Sequence, residues 1–508
     1  MSAVSTTPIE QTSDRRRWIA LVVLCMGFLM IILDQTIVNV ALPSIQRDLH
    51  FSQSGLAWVI NAYLIAFGGL LLLVGRLGDL VGRRRIFVSG LVLFTVASLV
   101  CGVSDSQGML IAARFVQGVG GAMTSAVILG MIVTMFPSPL EMAKAIGVYA
   151  FVASAGGALG LLAGGVLTQA LNWHWIFFVN LPIGALTLAL SLRLLPNDKG
   201  VGFGAGADIP GAVLLVSSLM LVVYAIVEAA NKGWGSAHTL GFGGAGVALL
   251  IGFLGRQATA ANPLMPLRVF RSRDVSGANL IQMSLVAGLF GVFFLGALYM
   301  EHVLGYDPIQ IGLAFLPLAL GIAVMSLGVS ARLIDRIGAR RTLVPSMALV
   351  GVGIVLFRIP GTHATYLSQL LPATAAIGIG GGLAFPSLMT LAMSTATPED
   401  SGLVSGLVNT SQQVGGALGL SVLATLASTR TDSLRAAGAS AARALTDGYH
   451  LAFLIGIFSV AAGLALSVWL VLSPHAPVGT VQEIIEDGEP QEREHAQFGA
   501  GAPTAEVA

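Results

Sequence analysis

Long apolar runs, each about twenty residues and separated by short polar breaks, dominate the chain. About twenty apolar residues are what an α-helix needs to cross the hydrocarbon core of a bilayer. Fourteen such runs are predicted, near 19–41, 55–74, 86–104, 108–134, 144–168, 174–194, 209–229, 237–255, 276–300, 309–330, 342–360, 366–393, 402–428 and 450–472. Membrane β-strands alternate over segments of about ten residues, and these runs are too long and too uniformly apolar for that. The pattern therefore predicts an all-α integral membrane protein. The first run follows Arg15-Arg16-Arg17-Trp18, a basic flank that a secretory signal also carries. It is longer than a signal's apolar core, holds Asp34 and is followed by no small-residue cleavage site, so it reads as a retained helix.

Composition sharpens this picture. A chain of 508 residues would suggest about three soluble domains. Only 10% of its residues are charged and 55% are hydrophobic, with mean hydropathy +0.85, whereas soluble domains carry roughly 25% charge. A net charge of +1 gives no basic footprint for nucleic acid. Two cysteines, Cys25 and Cys101, build no disulfide framework, and no Cys/His spacing suggests a metal site. With the N-terminus placed in the cytoplasm, eighteen Lys and Arg fall in the inner loops and N-terminal tail and six in the outer loops. By the positive-inside bias, both termini are expected to be cytoplasmic. The segment from 473 to 508 is acidic, poor in large apolar residues, and reads as a disordered cytoplasmic tail.

The chain repeats itself. Gly75-Arg-Leu-Gly-Asp79-Leu-Val-Gly82-Arg83-Arg84-Arg85 matches Ala331-Arg332-Leu333-Ile-Asp335-Arg336-Ile-Gly338-Ala-Arg340-Arg341 at an offset of 256. Gly156-Gly-Ala-Leu-Gly160-Leu161 matches Gly415-Gly-Ala-Leu-Gly419-Leu420 at an offset of 259. In each case the copies lie eight predicted helices apart. The expected organisation is a tail at 1–18, a six-helix bundle at 19–194, a two-helix insertion with its loops at 195–275, a second six-helix bundle at 276–472 and the tail at 473–508. Secondary transporters use parallel repeats of this kind, with the substrate at the repeat interface.

These residues resemble the major facilitator superfamily and, more narrowly, its fourteen-helix drug:proton antiporters of the EmrB/QacA type. Gly75 to Arg84 is similar to the superfamily's signature loop, with Leu80 in place of a basic residue that the second copy keeps as Arg336. Leu33-Asp34-Gln-Thr36-Ile-Val-Asn39-Val-Ala-Leu-Pro43 resembles the first-helix motif, and Leu110-Ile-Ala-Ala-Arg114-Phe-Val-Gln117-Gly118-Val-Gly120-Gly121 the fourth-helix motif. Trp173-His174-Trp175-Ile-Phe-Phe-Val-Asn180 resembles the sixth-helix start, with His174 for the usual arginine. Gly147, Gly156, Gly160, Gly164 and Gly165 fall at the spacing of the fifth-helix antiporter motif, with Leu161 where that motif has proline.

Asp34 and Arg114 are the leading site candidates, because an ionisable group within a membrane segment is costly and a functional hypothesis by default. Counted from the outer helix ends at 1.5 Å per residue, both lie roughly 10 Å deep. They can pair, either as a proton-coupling couple or as a static link between helices. Gly75, Asp79, Gly82, Arg83, Arg84, Asp335, Arg336 and Gly338 are expected to form a cytoplasmic gate, although positive-inside topology alone accounts for the arginines. The fifth-helix glycines allow a hinge or close packing. Gln117, Glu301, Asn61 and Gln412 are candidates to line a substrate cavity, Glu301 because an acid beside aromatics attracts a lipophilic cation.

The chain carries no G-x-x-x-x-G-K-[ST] motif for ATP, and its histidines are scattered rather than clustered with a nucleophile or base. An enzyme is not expected, nor a metal or other cofactor. The resemblance implies proton-driven efflux of lipophilic or cationic drugs or antibiotics across a bacterial cytoplasmic membrane. The alternative is an exporter of the same fold dedicated to one endogenous metabolite or siderophore. The expected partners are the lipid bilayer, a small-molecule substrate and protons, with no nucleic acid.

Overall fold

The computed structural model describes residues 8–136, 138–196, 200, 202, 206–362, 364–394 and 401–473. The regular elements among them are helical. In chain order they are α1 (Pro8–Asp48), α2 (Trp58–Val81), α3 (Arg83–Gly102), α4 (Gln107–Met135), α5 (Pro139–Ala170), the short α6 (Trp175–Phe178), α7 (Asn180–Leu194), α8 (Ile209–Lys232) and α9 (Ala237–Thr259). There follow α10 (Arg273–His302), α11 (Pro308–Val324), α12 (Ser330–Ile337), α13 (Ala339–Arg358), α14 (Leu371–Met393), α15 (Ser401–Ala436) and α16 (Ala441–Leu472). Twelve of the helical stretches are long and apolar enough to cross a membrane. The predicted runs at 144–168 and 402–428 correspond to α5 and α15, which are outside those twelve. Most of the expected tail at 473–508 lies outside the described residues, whereas the expected tail at 1–18 is helical from Pro8 onward.

The segments read as charged loops are almost entirely helix. α2 continues through Gly75 and Asp79 to Val81, and α3 starts at Arg83. Only Gly82 intervenes, at φ 113°. In the second copy Gly338, at φ 85°, alone separates α12 from α13. One residue in the left-handed region reverses the chain, and glycine takes that conformation without Cβ strain. The two glycines are the residues matched at the 256-residue offset, so the repeat reappears as backbone conformation.

The glycine repeat has a packing counterpart. A Cβ added to Gly160 would fall 3.0 Å from Leu33 O and one on Gly164 2.7 Å from Ile37 O, so α5 lies backbone to backbone along α1. A Cβ on Gly415 would fall 2.6 Å from Met283 Cα and one on Gly419 2.5 Å from Ala287 Cα, which places α15 equally close to α10. Without a hydrophobic drive between helices in lipid, such small-residue stripes permit the van der Waals contact that holds them together.

α1 touches α10 and α11, and two further crossings join the first seven helices to the last seven. At one, α5 meets α11: a Cβ on Gly165 would lie 2.7 Å from Pro308 O, and one on Gly312 2.6 Å from Leu161 O. Gln169 Oε1 also accepts from Ile309 N at 3.2 Å. At the other, α2 meets α15, where Thr410 donates to Gly68 O at 3.1 Å and Asn61 to Ser421 at 2.8 Å. α8 packs on both α2 and α15, and α9 packs on α8.

Asp208 anchors this helix pair. Buried at the N-cap of α8, it accepts from Gly211 N at 3.0 Å, from Gln257 at 2.8 Å and from Arg256. Burial alone would raise its pKa, but these donors outweigh burial and hold the carboxyl below its ordinary value.

Candidate functional site

Arg114 and Asp34 meet inside the first seven helices. Arg114 Nη1 lies 2.6 Å from Asp34 Oδ2, with Asp34 fully buried and Arg114 only 2% exposed. Taking two ions out of water costs several kcal/mol each, so the pair persists only if every remaining lone pair and proton is well served. Gln117 Nε2 donates to Asp34 Oδ1 at 2.7 Å, and Asn180 Nδ2 donates to the same oxygen at 3.0 Å. Arg114 also donates to Gln117 Oε1 at 2.7 Å and to Val59 O at 3.0 Å. Asn180 donates further to Ser98 Oγ at 3.0 Å, and Ser98 to Phe177 O at 2.9 Å. The guanidinium lies over the ring of Tyr63, 4.4 Å from its centroid. Five stretches of chain (α1, α2, α3, α4 and the α6–α7 corner) thus converge on one carboxylate.

The arrangement has a definite chemical capacity. An ionised carboxylate only accepts, and it satisfies Arg114, Gln117 and Asn180 together. A proton on Asp34 would remove the charge that holds Arg114 and turn one acceptor oxygen into a donor. The helices carrying these groups then lose their common anchor.

A separate cavity of about 730 Å³ opens at the end of the molecule that carries the charged helix ends. Gly75, Arg76, Asp79, Arg83 and Asp208 stand at its mouth, and α15 contributes Asn409, Gln412 and Gln413. On α1, Phe28, Ile32 and Gln35 line it. Gln35 Nε2 donates to Tyr63 Oη at 3.4 Å. Side chain by side chain, the cavity is therefore linked through Gln35 and Tyr63 to Arg114.

Of the four residues expected to line a substrate cavity, Gln412 lines this one. Gln117 is instead buried on Asp34 and Arg114, and Asn61 is buried on Ser421. Glu301 is not among the residues lining this cavity: its carboxylate is 3.0 Å from Arg47, where the last turn of α1 meets the end of α10. In the aromatic stretch before it, Phe294 and Tyr299 are buried, whereas Phe290 and Phe293 are half-buried.

The expected gate residues differ in role. Asp79 pairs with Arg83 at 2.9 Å within one helix corner, and Arg83 also donates to Gly130 O at 2.8 Å. Arg84 donates to Leu192 O at 2.6 Å, and a Cβ on Gly75 would meet nothing within 4 Å. Asp335, Arg336 and Gly338 are exposed. Of these groups, Gly75, Asp79 and Arg83 line the cavity. Among the proposed hinge glycines, Gly156, Gly160 and Gly164 face α1, Gly165 faces α11, and Gly147 faces open space. Leu161 is buried, with its carbonyl against Gly312.

Asn180 and Ser98, both in the buried network, were not site candidates from sequence. Asn180 stands in the sixth-helix segment already singled out, which was its available signal; Ser98 has none, being one small polar residue in an apolar run. Gln35, adjacent to Asp34, was likewise missed.

Comparison with known proteins agrees with this architecture. The family model described as Major Facilitator Superfamily matches residues 24–420 and 280–487. The puromycin resistance protein pur8 of Streptomyces alboniger is 40% identical over 481 residues, covering 92% of this chain and 95% of its own. The cephamycin export protein CmcT of Amycolatopsis lactamdurans is 36% identical, covering 91% and 94%. The tetracenomycin C resistance and export protein of Streptomyces glaucescens is 33% identical, covering 84% and 79%. Among solved structures, an inward-facing, unoccupied bacterial homologue of the human lysosomal transporter Spinster superposes with a TM-score of 0.64 at 16% identity, covering 91% of this chain and 99% of that one. The POT family transporter PepTSo gives a TM-score of 0.65 at 14% identity, covering 91% of this chain and 99% of that one. At these identities the structural matches speak to fold alone. This multi-pass membrane protein, not an enzyme, belongs to the Major Facilitator Superfamily.

Proposed function

We propose that this chain is a proton-coupled efflux transporter that moves lipophilic drugs or antibiotics out across a bacterial cytoplasmic membrane by alternating access. Its fourteen crossings are the twelve apolar stretches together with α5 and α15, with both termini in the cytoplasm. The bundles are 19–194 and 276–472, joined by the two-helix insertion at 195–275. The proton gradient supplies the drive, with no cofactor. The observation that carries this reading is the sealed Asp34–Arg114 pair, linked by Gln35 and Tyr63 to a cavity open at the charged end. Protonation of Asp34 releases Arg114 and loosens the first bundle. Cargo and proton then favour different states, which is the condition for exchange.

Cationic cargo is an expectation of the family resemblance; Glu301, the acid that could have assisted a cation, stands beside Arg47. A second reading has its own support: three relatives are each named for a single antibiotic, namely puromycin, cephamycin and tetracenomycin C. This favours a dedicated exporter of one antibiotic-like metabolite over a broad drug pump. Uptake of a panel of lipophilic dyes and antibiotics into everted vesicles, acid inside, tests both. Gradient-driven uptake of many compounds supports the broad pump, and of one compound the dedicated exporter. Uptake of none contradicts transport.

A further inference from the structure

Resting on the transport reading above, we infer that the cavity takes an uncharged lipophilic cargo that carries an aromatic ring and hydrogen-bonding groups. The wall is sorted by depth. Its charged residues stand where helices end: Arg76 and Asp79 in the last turns of α2, Arg83 at the start of α3 and Asp208 at the N-cap of α8. Both acids there are already engaged, Asp79 by Arg83 and Asp208 by Arg256, Gln257 and Gly211 N.

Farther in, the polar lining among the described residues is neutral: chiefly the amides of Gln35, Asn409, Gln412 and Gln413. The neighbouring carboxylate, Asp34, turns away from this wall and is fully buried against Arg114, Gln117 and Asn180. A cation entering such a site leaves water without meeting an anion, and an unpaired charge in apolar surroundings is strongly disfavoured. Amides have the opposite preference, since each both donates and accepts and so matches a carbonyl, hydroxyl or amide on the cargo. Gln412 is half-buried and lines the cavity. Phe28 and Tyr149, stacked at 4.1 Å and 19°, line the same cavity and give it an aromatic wall for a ring to pack on. Aromatic faces do attract cations, but weakly where no carboxylate assists.

The test uses the full chain, purified and also reconstituted in proteoliposomes. Its probes are two uncharged aromatics, chloramphenicol and Nile red, and two cations, ethidium and tetraphenylphosphonium. Equilibrium binding decides the cargo class, and gradient-driven uptake decides the transport reading. The expected result is binding of at least one uncharged probe at least tenfold tighter than either cation. Placing a carboxylate in the inner wall with Gln412→Glu should narrow or reverse that ratio. Asn409→Asp serves the same purpose if the first variant does not fold. Cations binding the native chain as tightly as the uncharged probes, or no probe binding, overturns the inference. Cation uptake driven by the gradient would overturn it while leaving transport intact, whereas binding of uncharged probes with no uptake of any probe would overturn transport alone.

Discussion

Gln35 Nε2 lies 3.4 Å from Tyr63 Oη, and the Tyr63 ring in turn carries the Arg114 guanidinium 4.4 Å from its centroid. A side chain of the cavity wall is thus two contacts from the ion pair sealed in the first bundle. Cargo that draws Gln35 away alters what Tyr63 presents to Arg114. Tyr63→Phe keeps the ring and removes only the hydroxyl. It is expected to leave cargo affinity within about twofold and to lower the cargo moved per proton, since one hydrogen bond to a neutral partner contributes about 1 kcal/mol. Parallel measurement of cargo flux and proton flux in proteoliposomes checks this; an unchanged ratio would remove Tyr63 from the coupling path.

Two glycines of α5 give a sharper contrast. A Cβ on Gly164 would meet the Ile37 backbone carbonyl at 2.7 Å, whereas one on Gly147 would meet nothing within 4 Å. Gly164→Ala should therefore push α5 off α1 and cost about 1–3 kcal/mol, the usual range for overpacking. Gly147→Ala should be neutral or slightly stabilising, because alanine suits a helix better. Thermal unfolding in detergent and vesicle uptake together check the pair. Equal effects at both positions would mean that the glycines act by flexibility rather than by contact.

Arg47 and Glu301 join α1 to α10 at 3.0 Å, at the end opposite the cavity mouth. With Glu301→Gln the charge attraction is lost, and the state closed at that end becomes less populated. Spin labels at Leu171→Cys and Arg443→Cys, both on exposed residues, should report a larger fraction of long distances in the variant. An unchanged distance distribution would reduce the pair to a surface contact.

Asp208 gives a prediction in pH. Its folded pKa is depressed, so the stability it contributes is fully present above the unfolded value of about 3.9 and is lost as pH falls through the lower folded value. Asp208→Asn should lower the unfolding temperature by a constant amount between about pH 5 and pH 8. The difference from the native chain should shrink only in more acid solution. A difference that varied across the neutral range would contradict the assignment.

How much of this was legible in the sequence follows from what is local. Apolar run length is a local property, and the predicted runs fall on helices throughout the described chain. Asp34 and Arg114 stand out because a charge in an apolar run is conspicuous wherever it points. Their neutral partners do not stand out: Asn180 and Ser98 look like any small polar residue, and many such residues in this chain bond only their own helix, as Thr187 does to Ile183 O. Glu301 was misjudged for the complementary reason. Sequence placed it beside aromatics, but it could not show that Arg47, 254 positions away, would claim the carboxylate. The charged segments were read as loops because a turn built on a single residue leaves almost no non-helical stretch to detect, as Gly82 and Gly338 illustrate.

The central claim is that Asp34 carries the proton whose movement drives transport. Everted vesicles with the native chain, acid inside, are loaded from outside with a cargo that the native chain moves, and the same is done with Asp34→Asn, matched for amount of folded protein. The account predicts gradient-driven accumulation by the native chain and its loss in the variant, with cargo binding retained. Accumulation by Asp34→Asn at the native level and with the native pH dependence would contradict it.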